Sequence, residues 1–272
     1  MTRAAILLVI ATAFACRARD SGPPPSPPEI TIRASDTAFD APETIPSGLL
    51  TLRLVTSGRE MHQAALARIG GGHTVAEFLE AMRAPPPPPS WIEMAGGVEP
   101  PAPGGTAATT FELPPGRYAI LDLIPGADGV PHVVKGMYRE LIVVPSHARH
   151  AAEPRANDTL TLADGEFTAR APLAAGTHTF RIVNRGKRPH EITFVRLADG
   201  RTADDLLHWL SLPAGAPPGE MLGGVFGLRT GERAFVTLDL TPGRYALFCS
   251  LGAGPGVAPW YARGMLRELE VR

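Results

Sequence analysis

One segment near the carboxyl end, Tyr245–Met265, reads YALFCSLGAGPGVAPWYARGM. An alternating run enters a single Cys, a Gly-rich loop follows, and Gly-Met precedes a last alternating run. An earlier segment, Tyr118–Met137, reads YAILDLIPGADGVPHVVKGM and has the same order, with Asp122 in place of the Cys. The two segments indicate an internal duplication whose copies differ in their polar side chains.

Further matches extend the duplication over most of the chain. Leu113–Ile120 (LPPGRYAI) recurs as Leu240–Leu247 (LTPGRYAL), and His62 recurs 128 residues later as His190. Two domains of similar length are therefore predicted. In chain order, the predicted segments are a signal segment at 1–16, a Pro-rich linker at 17–29, a first domain at 30–146, a connector at 147–156 and a second domain at 157–272.

The pattern within each repeat is typical of β-structure. Leu50–Val55 and His178–Val183 alternate between apolar and polar residues, as half-buried strands do. One helix is predicted per repeat, at Thr74–Met82 and Thr202–Leu210, because each begins with a Thr followed three residues later by an acid. The sequence predicts an all-β fold of two tandem Greek-key β-sandwiches, each with one short helix.

The composition argues against a nucleic-acid partner. The chain has 26 basic and 27 acidic residues and a formal net charge of −1. Binding to a phosphate backbone depends on an excess of Lys and Arg. The 29 Gly and 29 Pro residues favour many short strands joined by turns, in agreement with the predicted β-fold.

The amino terminus has the pattern of an export signal. Arg3 precedes an apolar run at 4–15, which is too short to span a bilayer. The run ends Ala-Phe-Ala-Cys, and this allows cleavage after Ala15 or lipidation of Cys16 at a bacterial lipobox. We expect lipidation, a membrane-anchored lipoprotein facing the periplasm or the cell surface, and 17–29 as its spacer. The alternative is a soluble periplasmic or secreted protein.

The second repeat carries a recognisable order of motifs. Asn-x-Gly-x-x-x-His (Asn184–His190) and Pro-Gly-x-Tyr-x-Leu-x-Cys (Pro242–Cys249) precede the loop and the last strand. This order resembles the cupredoxin family, the plastocyanin- and azurin-like blue-copper proteins. The resemblance spans nearly all of each repeat. It implies a tandem pair of cupredoxin-like sandwiches, each with a copper site at one end.

In the second repeat the resemblance implies an incomplete site. His190, Cys249 and Met265 match three copper ligands of the family, and Trp260 stands where the second His belongs. Cu(I) would tolerate Cys and Met with one His, whereas Cu(II) would be poorly held. The alternative is structural: Cys249 is then a small buried side chain and Met265 fills a gap in the core.

In the first repeat a different ligand is missing. His62, His132 and Met137 match the family's ligands, and Asp122 occupies the Cys position. Without a thiolate there is no blue-copper chemistry. The repeat could hold Cu(II) through His62, His132 and Asp122, or Cu(I) through the two histidines and Met137. The alternative is again structural, with His62 bonding loop carbonyls and Met137 filling the core.

Three functions are consistent with this sequence. The first is an exported copper-binding or copper-handling protein with degenerate sites, which we expect not to be an enzyme. The second is a metal-free module that binds an unidentified protein of the cell envelope. The third is an electron-transfer protein with a modified copper site. The chain contains no His-x-His motif, and this disfavours a two-domain copper oxidase or nitrite reductase.

Overall fold

The computed structural model describes residues 22–83, 89–213, 215–252 and 257–272. The predicted signal segment at 1–16 and the predicted lipidation site Cys16 lie outside these residues, as does the start of the Pro-rich linker. None of the helices within the described ranges is long and apolar enough to cross a bilayer.

The first repeat forms a sandwich of nine strands. Its alternating segments place every second side chain in the core, as in β4, where Leu50, Leu52 and Leu54 are buried. The strands are β1 (Glu29–Ser35), β2 (Phe39–Asp40), β3 (Thr44–Pro46), β4 (Gly48–Ser57), β5 (Ala64–Ile69), β6 (Ile92–Val98), β7 (Thr106–Leu113), β8 (Gly116–Leu121) and β9 (Tyr138–Val144).

The second repeat forms the corresponding sandwich. A short 3₁₀ helix at Trp260–Arg263 precedes its last strand. The strands are β10 (Asp158–Ala163), β11 (Glu166–Thr168), β12 (Gly176–Asn184), β13 (His190–Leu197), β14 (Gly219–Leu228), β15 (Arg233–Leu240), β16 (Gly243–Phe248) and β17 (Leu266–Val271).

Each repeat contributes one helix between its His strand and the next strand. α1 spans Val75–Arg83 and α2 spans Ala203–Ser211. Thr74 accepts from the backbone N–H of Glu77 at 3.2 Å, and the Glu77 carboxylate accepts in return from the Thr74 N–H. Thr202 and Asp205 form the same reciprocal capping box. The two predicted helices are therefore present, beginning one residue later than predicted.

The two sandwiches are joined edge to edge into continuous sheets, an arrangement that the sequence did not predict. β7 pairs with β15 in an eight-stranded sheet, and β6 pairs with β14 in a nine-stranded sheet. Both pairs are antiparallel and join equivalent strands of the two repeats. The join therefore has approximate twofold symmetry, with Val98 opposite Val225.

The join encloses polar side chains as well as apolar ones. Glu99 and Glu191 come from different repeats and are 3% and 2% exposed. Thr193 Oγ1 donates to Glu99 Oε2 at 3.1 Å, and the Ser250 N–H donates to Glu191 Oε1 at 2.7 Å. Burial and the charge of Glu191 raise the pKa of Glu99 well above its usual value.

The predicted fold class is confirmed: the protein is all-β, with two tandem sandwiches and, among the described residues, one short α-helix in each. The sheets are mixed rather than purely antiparallel. β1 pairs with β4 and β10 pairs with β12 in parallel, because the first strand of each repeat lies along the edge of a later strand instead of forming a hairpin with it.

Candidate metal centre

Three buried side chains meet at one end of the first sandwich. His62 lies just before β5, Asp122 directly after β8, and His132 in the loop that precedes β9. Because β5 and β8 are paired, their ends bring His62 and Asp122 together. His62 Nδ1 lies 2.7 Å from Asp122 Oδ2, and His132 Nδ1 lies 3.0 Å from the same oxygen. The side chains of all three are at most 2% exposed.

These three residues have the composition and spacing of a metal site. Their ligand atoms lie within 4.8 Å of one another, and they form the one such group of His, Cys, Asp or Glu side chains within the described residues. The two imidazole rings tilt at 47° with their centroids 4.7 Å apart. Two imidazole nitrogens and a carboxylate oxygen are a donor set that suits divalent copper, zinc and iron.

Two further carboxylates contact the outer side of the imidazoles, that is, the Nε2 atoms, which face away from Asp122. Asp36 follows β1, and its Oδ1 lies 3.0 Å from His62 Nε2. Glu60 Oε2 lies 2.5 Å from His132 Nε2. Backbone amides fix both carboxylates, since Arg59 N–H donates to Asp36 and Ala127 N–H donates to Glu60. Each imidazole is therefore held between two carboxylates.

The charges of this cluster shift its protonation equilibria. Burial lowers the pKa of His62, but the hydrogen bonds to Asp122 and Asp36 outweigh it, so that this pKa lies above its usual value. The hydrogen bond to His62 is the largest cause that lowers the pKa of Asp36, to about 2. The hydrogen bond to His132 lowers the pKa of Glu60. These shifts favour a charged His62 imidazole and ionised Asp36 and Glu60 carboxylates.

The corresponding position in the second repeat has a different character. His190 Nδ1 lies 3.9 Å from Cys249 Sγ, and Asp164 Oδ1 lies 2.9 Å from His190 Nε2. Cys249 is a free and fully buried thiol. Burial raises its pKa well above the usual range, and burial also lowers the pKa of His190.

The loops of the two repeats have equivalent backbone hydrogen bonds. Met137 N–H donates to the His132 carbonyl at 2.9 Å, and Met265 N–H donates to the Trp260 carbonyl at 2.9 Å. Asp122 N–H likewise donates to Met137, as Cys249 N–H donates to Met265. These matching bonds place Trp260 in the position of His132, and Asp122 in the position of Cys249.

Trp260 occupies the place of a second imidazole in the second repeat. Its indole lies edge-on to His190 with the ring centroids 5.1 Å apart, and it is 6% exposed. An indole N–H is a donor with no lone pair to offer a metal. Arg263 lies over the ring, 5.4 Å from its centroid. The donors of a blue-copper centre are therefore incomplete in both repeats: the first lacks the thiolate and the second lacks an imidazole.

The structure groups the predicted site residues unequally. His62 and His132 converge, together with Asp122, while His190 and Cys249 converge without a second nitrogen ligand. Met137 and Met265 are buried in the main hydrophobic core, at 1% and 0% exposure. Their backbones bind the loop, and this is compatible with the core-filling role considered from the sequence.

Sequence reasoning missed the outer carboxylates. Asp36 and Asp164 are 128 residues apart, which is the spacing of His62 and His190, so that the duplication contains the signal for this pair. Glu60 has no such signal, because Arg188 stands at the equivalent position of the second repeat.

The duplicated sandwich, with a His at or just before the start of a sheet strand and a loop running to Gly-Met, defines the chain as a tandem duplication of the cupredoxin fold. No family model matches the chain, and no curated protein matches it. Its similarities are to solved structures. A dithionite-reduced auracyanin from the photosynthetic bacterium Roseiflexus castenholzii is 26% identical, covers 44% of this chain and 99% of its own, and has a TM-score of 0.31.

Two larger structures cover both repeats. A multicopper oxidase is 14% identical over 93% of this chain and 94% of its own, with a TM-score of 0.26. A copper nitrite reductase from Nitrosomonas europaea is 14% identical over 90% of this chain and 93% of its own, with a TM-score of 0.25. At these identities and scores the likeness concerns the fold alone.

One prediction from the sequence is corrected by this comparison. We expected a protein that is not an enzyme, in part because it lacks a His-x-His motif. The structures that share its fold include multicopper oxidases and copper nitrite reductases, which are enzymes. The prediction of a non-enzyme was therefore wrong as an exclusion, although an identity of 14% identifies no reaction.

Proposed function

We propose that the protein binds copper in its first repeat, through His62 Nδ1, His132 Nδ1 and Asp122. The observation that carries the proposal is the convergence of both Nδ1 atoms on one carboxylate oxygen, at 2.7 and 3.0 Å, in a buried cluster. Imidazole and carboxylate donors suit Cu(II), which stands at the top of the order of divalent affinities. The second repeat is proposed to bind no copper, because Trp260 blocks it.

The chain's own residues define what the site can do. His62 and His132 supply nitrogen ligands, and Asp122 supplies the negative charge that a thiolate supplies in blue proteins. Copper held by such a set supplies a redox-active ion without the copper–thiolate bond. His132 is 1% exposed, and Glu60 covers its outer nitrogen, so that copper and its protein ligands are shielded from water. This shielding supports binding or storage of copper more than exchange of electrons with a partner at this face.

The proposal includes export and attachment to a membrane. Arg3, the apolar run at 4–15 and Ala-Phe-Ala-Cys support a lipoprotein signal, with lipid on Cys16. The Pro-rich segment 17–29 would hold the domains at 30–146 and 157–272 away from the bilayer. The expected test is fractionation: wild type should partition with membranes and Cys16→Ala should not. A wild-type protein found wholly in the soluble fraction would favour cleavage after Ala15.

The metal proposal is tested by copper content after loading and desalting. Wild type is expected to retain one copper per chain, and His132→Ala to lose most of it. His190→Ala is the control from the other repeat, because it removes the histidine equivalent to His62, and it should retain the copper. Retention by His132→Ala with loss by His190→Ala would place the copper in the second repeat. An absence of copper from wild type would leave a metal-free interaction module as the function to test.

A further inference from the structure

We infer that Asp36 and Glu60 are positioning residues that make the first-repeat site selective for Cu(II) over Cu(I). The inference rests on the proposed copper site. It concerns two residues on the outer side of the cluster, which do not themselves contact the position between the Nδ1 atoms. Asp36 Oδ1 lies 3.0 Å from His62 Nε2, and Glu60 Oε2 lies 2.5 Å from His132 Nε2.

The first step of the argument concerns which ring nitrogen is presented to the metal. An ionised carboxylate accepts hydrogen bonds and donates none, so that each Nε2 must carry the proton in these contacts. When the other proton leaves, the lone pair is then on Nδ1, and both Nδ1 atoms face Asp122. Asp36 and Glu60 therefore fix the tautomer and the ring orientation of both histidines.

The second step concerns why the carboxylates themselves stay in place. Asp36 accepts from the backbone N–H groups of Arg59 and Glu60, at 3.0 and 3.2 Å. Glu60 accepts from the Ala127 N–H at 3.1 Å. Each carboxylate is therefore anchored to a loop backbone as well as to its histidine, and this gives the rings a fixed frame.

The third step concerns charge. Asp36, Glu60 and Asp122 place three carboxylates around two imidazoles, and the nearby ammonium of Lys135 is engaged by Asp128 at 2.7 Å. Negative charge stabilises a doubly charged ion more than a singly charged one at the same position. A carboxylate on the outer nitrogen also makes the imidazole a more basic ligand. Both effects favour Cu(II).

The second repeat provides a comparison within the same chain. Asp164 holds His190 as Asp36 holds His62, at 2.9 Å. The second repeat has no counterpart of the Glu60–His132 pair, since Arg188 stands in place of Glu60 and Trp260 in place of His132. A carboxylate therefore occurs on the outer nitrogen of each of the three histidines and is missing where the histidine is missing. This pairing favours a role for the carboxylates that is tied to the imidazoles.

The test measures affinities for Cu(II) and Cu(I) separately, by competition with chelators specific for each oxidation state. Asp36→Asn and Glu60→Gln keep a hydrogen-bond acceptor and remove the charge. Each is expected to weaken Cu(II) about 10- to 100-fold, the usual effect of changing an outer partner of a ligand. Cu(I) affinity should change much less, and the reduction potential should therefore rise by about 59 mV for each tenfold difference. Asp164→Asn, the matched variant in the other repeat, should change neither value.

The outcomes separate this inference from the copper site itself. Equal losses of Cu(I) and Cu(II) affinity in both variants, or unchanged affinities, would overturn the inference and leave the copper site intact. Absence of copper from wild type would overturn the site. Asp36→Ala, which removes the acceptor as well as the charge, is expected to lose more Cu(II) affinity than Asp36→Asn. Circular dichroism of each variant checks that the sandwich remains folded.

Discussion

His62 Nδ1 lies 2.7 Å from Asp122 Oδ2, at the position where the second repeat brings His190 Nδ1 to 3.9 Å from the Cys249 thiol. The two pairs occupy equivalent places in a duplicated sandwich. At this equivalent position the second repeat has a soft donor, the Cys249 thiol, and the first has a hard donor, the Asp122 carboxylate. This difference is the basis of the predictions below.

The first prediction concerns colour. Copper-loaded wild type should show no intense visible band, because no thiolate joins two imidazoles around one ion. Asp122→Cys should produce such a band, since a thiolate would then lie beside His62 and His132. The measurement is visible absorption after copper loading. A strong band in wild type that is lost in Cys249→Ser would show that the second repeat holds blue copper.

A second substitution tests the other repeat in the same way. Trp260→His places an imidazole where the second nitrogen ligand is missing, beside His190 and Cys249. It should create a copper-dependent band that wild type lacks. Trp260→Phe is the matched control, because it removes the indole and adds no ligand. A band of equal strength in Trp260→Phe would mean that removal of the indole is sufficient for the band. The second imidazole would then be unnecessary.

The affinity for copper should depend on pH. Hydrogen bonds from Asp122 and Asp36 hold the pKa of His62 above its usual value, and a protonated Nδ1 cannot bind a metal. Copper affinity should therefore fall as pH decreases through that pKa, by about tenfold per pH unit for each proton displaced. In Asp36→Asn the fall should begin at lower pH. Chelator competition across pH gives the curve, and a flat curve would exclude His62 as a ligand.

Stability should decrease as pH rises above the ordinary pKa of a Glu side chain, because of Glu99. Its pKa is raised well above 4.5 by burial and by Glu191, so that its protonated form is favoured in the folded state. The contribution of Glu99 to the free energy of unfolding is complete below its pKa in the unfolded chain. It is lost as pH rises through its pKa in the folded protein. Glu99→Gln keeps an acceptor for Thr193 and should flatten this decrease. Each 1 kcal/mol recovered should raise Tm by about 2–4 °C.

The control for that experiment is Glu112→Gln, which removes a carboxylate from an exposed position of β7. It should leave the dependence of Tm on pH as in wild type. If Glu99→Gln lowers Tm at every pH by the same amount, the carboxyl serves packing alone, and the ionisation account of the join is contradicted.

Much of the fold could be predicted from the sequence, because the duplication presents each pattern twice. Thr74 and Thr202 mark the helix starts through their capping acids, and the helices begin one residue after them. Both repeats have the order Cys or Asp, loop, Gly-Met. This order identified Trp260 as the equivalent of His132, with loops that differ by one residue in length. These signals are local, and local signals survive in a single sequence.

The join between repeats and the outer carboxylates could not be predicted in this way. Val98 and Val225 pair across the join, yet nothing in their own strands distinguishes an edge that pairs from one that is exposed. Glu60 meets His132 only because the fold brings together residues 72 positions apart. The sequence identified Asp122 as the residue replacing Cys and as a possible ligand beside both histidines. That both Nδ1 atoms meet the same carboxylate oxygen required coordinates.

The most direct test of the central claim is a crystal structure of the copper-loaded protein, with anomalous diffraction recorded at the copper absorption edge. The account predicts one strong peak per chain, within bonding distance of His62 Nδ1, His132 Nδ1 and Asp122. It predicts no peak between His190 and Cys249. A peak at Cys249 with none beside Asp122, or no peak from protein that has been exposed to excess copper, would contradict the account.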